Sequence, residues 1–162
     1  MSRFAFAASA AVLGVVIAAG ASLAPSTAAT PGETVKMRQD AMKSLGGHMK
    51  AIKTFIEKGE GSADDVARRA AEINDISGKI PGLFPQGTSM DQVMDPKTGA
   101  KPAIWSEWDK FTAAAKTLGA RSEGLKMAAS GGDKGAIAAA FKQMGSDGCG
   151  GCHKPYRQKL EK

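Results

Sequence analysis

With 162 residues, the chain has room for one domain around one hydrophobic core, and nothing in its length requires two. Its formal charge of +6 is a mild bias, spread over 22 basic residues scattered among 16 acidic ones. That pattern argues against a nucleic-acid surface and leaves open a basic rim for an acidic protein partner.

The opening segment, MSRFAFAASAAVLGVVIAAGASLAPSTA, carries one charge at Arg3, then an Ala/Val/Ile/Leu run, then small residues before a polar stretch. This is the layout of a secretory signal peptide. Cleavage after Ala28 puts Ser26 and Ala28 at the small-residue positions, whereas cleavage after Ala24 would leave Pro25 first. Residues 1–28 are therefore expected to be the signal and residues 29–162 the mature, periplasmic domain. Phe4 to Ala24 is long enough to cross a bilayer, but its Ala, Gly and Ser content makes it a weak anchor. No other stretch could span a membrane, so none is expected after cleavage.

Four helical segments follow and no convincing strand, so the fold class is all-α. The first is expected from Gly32 to Lys58, with Met42, Leu45, Met49, Ile52 and Ile56 on one buried stripe. Gly59 and Gly61 stop it, and Ser62 with Asp65 caps a second helix whose apolar face is Val66, Ile73, Ile76 and Ile80. Pro81 ends that helix, and PGLFPQGTSMDQVMDPKTGAK is a long connection ordered by Leu83 and Phe84. Pro102 suits the first turn of a third helix carrying Ile104, Trp105, Trp108, Phe111, Ala115 and Leu118. Gly131 and Gly132 terminate it. Asp133 caps a fourth, with Ile137, Phe141, Met144, Cys152 and Tyr156 facing inward. Short turns make neighbours antiparallel, which gives an up-down-up-down four-helix bundle.

The only two cysteines lie in Cys149-Gly150-Gly151-Cys152-His153, the C-x-x-C-H pattern of c-type haem attachment. Two thiols at this spacing can add to the two vinyl groups along one porphyrin edge, and the adjacent imidazole then lies beneath the iron. The glycines keep the backbone between the thiols small enough to rest against the ring. A thioredoxin-type motif would need a βαβ setting, a zinc site would have only His48 as its fourth ligand, and a plain disulfide leaves His153 unexplained. One covalent haem c, with its iron on His153, is the expected cofactor.

CGGCHKPYR near the C-terminus, MRQDAMKSLGGHM in the first helix, LFPQGT in the middle connection and KPAIW opening the third helix carry a further likeness. Through them the mature chain resembles the class II cytochromes c, the cytochrome c-prime family. The resemblance implies a haem inside one end of the bundle, between the fourth helix on the proximal side and the first on the distal side. It maps Met42 onto the distal position facing the iron and Arg38 onto a basic residue paired with a haem propionate, a match suited to the guanidinium fork.

Arg157, four residues after His153, falls on the same helical side and is expected to shape proximal electrostatics. Tyr156, Trp105 and Trp108 are expected to pack against the haem or bundle interior. His48 lies off the Met42 stripe, at the surface or helix edge, with bis-His ligation a minor alternative. Met49, Met37 and Met127 are poorer ligand candidates than Met42.

The expected function is one-electron transfer between periplasmic redox proteins, with His153 and Met42 as axial ligands and no enzymatic bond chemistry. The alternative is a five-coordinate haem that binds nitric oxide or carbon monoxide. A third reading has the bundle hold haem for structure alone. Homodimer formation is left open.

Overall fold

A computed structural model describes residues 28–160, so the expected signal segment, apart from Ala28, lies outside the described residues. The first helix, α1 (Pro31–Lys58), starts at a reciprocal cap: the Glu33 amide donates to Thr30 Oγ1 at 3.2 Å, and the Thr30 amide donates to Glu33 Oε2 at 2.7 Å. Pro31 fits there because its missing N–H would have no helical partner. The helix stops at Gly59, whose φ of +73° a side chain would resist, and whose amide donates to Phe55 O at 2.9 Å. Ser62 then caps α2 (Ala63–Lys79), accepting from the Asp65 amide at 3.1 Å. A 3₁₀ turn at Pro81–Leu83 follows.

The third rod is not the single helix expected from Pro102. It consists of α3 (Ala103–Ser106) and α4 (Trp108–Ser130), separated at Glu107, where φ −121° and ψ 40° leave the helical region. No Gly or Pro marks this break. A long-range contact holds it instead: the Tyr156 hydroxyl donates to Glu107 Oε2 at 3.1 Å.

The fourth rod is also interrupted. Asp133 caps α5 (Lys134–Gln143) by accepting from the Ala136 amide at 2.6 Å. A π turn over Met144–Cys149 then leads into α6 (Gly150–Tyr156). At Gly148 the turn rides directly on α4, where a Cβ would sit 2.9 Å from Leu118 Cδ1 and 3.2 Å from its Cα.

Taken as α1, α2, α3–α4 and α5–π–α6, the four rods form the expected antiparallel bundle. The pairing of α2 with α4 is the most extensive, and Gly119 lets the two approach until a Cβ there would lie 2.9 Å from Ser77 Oγ. Ile52, Ile73, Leu125, Ile137 and Met144 are fully buried at the centre. The α1 stripe differs from expectation in one respect: Leu45 and Ile52 are buried together with Phe55, while Met42, Met49 and Ile56 are only half-buried. Trp108 is a second correction. It is 38% exposed and tilts against Phe111 at 5.5 Å, so it covers the rim of the core and does not enter it.

Residues between α2 and α3 are bound down by polar contacts. Arg38, buried on α1, donates to Thr88 O at 3.0 Å, Thr98 Oγ1 at 2.8 Å and Thr88 Oγ1 at 3.4 Å. Gln39 Nε2 donates to Lys97 O at 2.8 Å, and Trp105 Nε1 donates to Phe84 O at 3.0 Å. The end of this connection pairs with the chain after α6: Lys101 N donates to Tyr156 O at 3.0 Å and Gln158 N to Gly99 O at 2.7 Å. Only glycine fits at position 99, where a Cβ would lie 2.1 Å from Gln158 O.

Candidate functional site

One end of the bundle opens into a cavity of about 590 Å³, within the range of small-molecule and cofactor sites. Its α1 wall carries Arg38, Met42, Leu45 and Met49, and α4 contributes Phe111, Ala115 and Leu118. Phe84, Thr98 and Ala100 from the long connection form a third side. The fourth rod supplies Cys149, Cys152, His153 and Tyr156, followed by Arg157. All six residues singled out from the sequence thus line one cavity, although they lie more than 100 positions apart in the chain.

The break at Glu107 and the π turn help to shape this space. Tyr156 packs edge-on against Phe111 at 5.6 Å, and Phe111 packs in the same manner on Phe84 at 4.8 Å, so an aromatic wall connects α6 to the long connection. Arg38 lies over the Phe84 ring, 4.4 Å from its centroid.

The electrostatics are one-signed. Arg38, Lys43 and Arg157 line the cavity, and no carboxylate does so among the described residues. Burial pulls the pKa of Arg38 down to about 10, and its guanidinium has only hydroxyl and carbonyl partners, with no carboxylate to neutralise it. A buried guanidinium of this kind calls for an anion.

Cys149 and Cys152 are free, half-buried thiols. Burial raises both pKa values, that of Cys152 to about 11, with the neighbouring Cys149 adding a smaller push. His153 is exposed and lines the cavity, yet the protein around it still lowers its pKa, first by desolvation and then through the Arg157 charge. Its imidazole is therefore held neutral, with a lone pair free for a metal.

These residues fit a covalently attached haem. Two thiols and a neutral imidazole lie on one wall, aromatic and aliphatic side chains supply apolar contact, and a buried cation is ready for a propionate. A haem would use all of these features at once.

His48 does not line the cavity. It is half-buried on the other side of α1, with Nε2 3.1 Å from Glu72 Oε2, which removes it as an axial ligand. Met37 and Met127 are exposed and also lie off the cavity wall. Met49 does line the cavity, but its methyl carbon lies 3.9 Å from the Cβ position of Gly145, against the π turn.

Sequence reasoning missed Thr88 and Thr98, the partners that orient Arg38. Thr88 closes the LFPQGT stretch and so had a signal; Thr98 had none.

Comparison with known proteins agrees with this geometry. Residues 33–157 match the family described as Cytochrome C'. Over 130 residues the chain is 32% identical to cytochrome c' of Pararhodospirillum photometricum, covering 80% of this chain and all of the relative. Over 127 residues it is 35% identical to cytochrome c-556 of Agrobacterium tumefaciens strain B2A, covering 77% of this chain and 97% of the relative. Among solved structures, it is similar to a cytochrome c' with ligand-controlled dimer dissociation: TM-score 0.74, 29% identity, 82% of this chain and 100% of the other.

Proposed function

The chain belongs to the cytochrome c-prime family, and from that premise we propose a one-electron carrier in which His153 and Met42 ligate the iron of its haem. Members of this family carry one covalent c-type haem, are periplasmic and are generally non-enzymatic; some are dimeric. When bound, the haem supplies one iron-centred electron, exchanged between the ferric and ferrous states.

The chain's own residues would do the rest. Cys149 and Cys152 would hold the group by thioether links, and His153 would offer its neutral imidazole. Met42 offers a soft, flexible thioether, which favours ferrous iron and raises the potential. Arg38 would donate to a propionate, and Arg157 would place positive charge beside His153, which would also disfavour the more positive oxidation state. The signal segment would deliver the chain to the periplasm, where its partners are redox proteins.

The observation that carries this reading is that α1 and the α5–π–α6 rod bring Met42 and His153 onto the walls of one cavity. Met49, its rival on α1, already packs against the π turn. A second reading has its own support, since the relatives include both c' and c-556 proteins at similar identity and one c' structure is named for its response to a ligand. There Met42 would be ordinary packing, and the iron would be left open to nitric oxide or carbon monoxide.

The optical spectrum of the oxidised holoprotein decides between them. Met42 ligation gives a low-spin spectrum and no carbon monoxide binding after reduction, and Met42→Ala then turns the spectrum high-spin and admits carbon monoxide. An unmutated protein that is already high-spin and takes up carbon monoxide readily establishes the open-iron reading instead.

A further inference from the structure

We propose that the edge where residues 97–101 run beside residues 154–159 is the docking surface for an acidic redox protein, an inference that rests on the carrier function above. The two stretches are fixed side by side by the Lys101 to Tyr156 and Gln158 to Gly99 backbone hydrogen bonds. Together they bring Lys97, Lys101, Lys154, Arg157 and Lys159 onto one edge, all exposed except the half-buried Lys101.

None of the five pairs with a carboxylate among the described residues, whereas Lys36, Lys53, Arg68 and Lys126 elsewhere each have one. Residues 96–106 and 148–160 contain no Asp or Glu. Of the acids that flank them among the described residues, Asp147 lies 2.9 Å from Arg121, and Glu107 accepts from Tyr156 and lies 3.6 Å from Lys110, which leaves Asp95 as the one exposed, unengaged carboxylate beside the five cations.

The same edge forms a lip of the cavity, to which Gly99, Ala100, Arg157 and Gln158 all contribute. A partner seated on it would lie against whatever the cavity holds. Clustered, unpaired charge on a fixed backbone steers encounter with a surface of opposite sign without requiring a loop to order.

The test uses the reduced holoprotein mixed in stopped flow with an acidic blue-copper protein. Lys97→Glu/Lys154→Glu/Lys159→Glu should slow electron transfer about tenfold at low ionic strength and flatten its salt dependence. Lys53→Glu/Lys58→Glu/Lys126→Glu makes the same change in net charge at the opposite end and should leave the rate within about twofold. Equal slowing by both variants, or by neither, overturns the docking edge. Oxidation by the small cation tris(phenanthroline)cobalt(III), whose potential lies high enough to oxidise a thioether-ligated haem, reports carrier competence separately. Its failure in the unmutated holoprotein refutes the carrier function and this proposal with it. If the first variant loses only binding to phosphatidylglycerol vesicles and keeps its rate with the copper protein, the edge serves a membrane and the proposal fails.

Discussion

Arg38 joins two parts of the molecule that lie fifty and sixty positions apart, because its three hydrogen bonds all cross from α1 to Thr88 and Thr98. Its removal would leave the buried Thr88 carbonyl unpaired, while the Thr98 hydroxyl would keep the Ala100 amide at 3.3 Å and the Thr88 hydroxyl the Pro85 carbonyl at 2.8 Å. Arg38→Leu should therefore destabilise the holoprotein by roughly 1–3 kcal/mol in urea titration, and Arg38→Lys should recover only part of this, because an ammonium lacks the planar fork. An unchanged midpoint for Arg38→Leu would show that the contacts are incidental. At this scale the sequence was informative where chemistry is rare. Cys149, Cys152 and His153 announce themselves by spacing, and Arg38 and Met42 came by resemblance. Thr98 did not, since a threonine in a Pro- and Gly-rich connection has many uses and only the folded chain shows which one it serves.

Among the elements, the starts of α2 and α5 were legible because Ser62 and Asp133 are strong local signals, each satisfying an amide three residues on. The break at Glu107 was not, because the bond that holds it comes from Tyr156 in another rod.

The cap of α1 makes a prediction about pH. The Thr30 backbone and side-chain hydrogen bonds lower the Glu33 pKa below its usual 4.5. A carboxylate with a depressed folded pKa contributes stability that is fully present above its unfolded pKa and is lost as pH falls through the folded one. Amide exchange in the first turn of α1 should therefore accelerate as pH drops below 4.5, after correction for intrinsic rates. Thr30→Ala should weaken that dependence; if the wild-type and variant profiles coincide, the cap has no such role.

For the whole molecule, helical periodicity and two short turns were enough to imply four antiparallel rods. The closure of the cavity was not legible, because the pairing of Ala100 with Arg157 is long-range and a single residue pair in extent. It leaves no alternating pattern in either stretch.

The π turn has a consequence for the molecule that is a matter of phase. Ile137, Phe141, Met144, Gly148, Cys152 and Tyr156 all face inward along the last rod, though to different depths. From Ile137 to Tyr156 is 19 positions, one more than the 18 that five turns of α-helix use. A continuous α-helix would carry that surplus as a rotation of about 100° per extra residue, so the π turn absorbs it and returns Cys152 and His153 to the cavity. Deleting Gly145 should let the segment relax to α with 18 positions between Ile137 and Tyr156, which keeps the motif facing Met42 and Arg38, whereas inserting one Ala after Gly145 should rotate it away. The expected result is an unchanged iron spectrum for the deletion and, for the insertion, a lower melting temperature and an altered iron spectrum; the same spectrum for both variants would mean that the angle is set elsewhere. The direction in which the haem ligand points is, in this sense, written as a residue count.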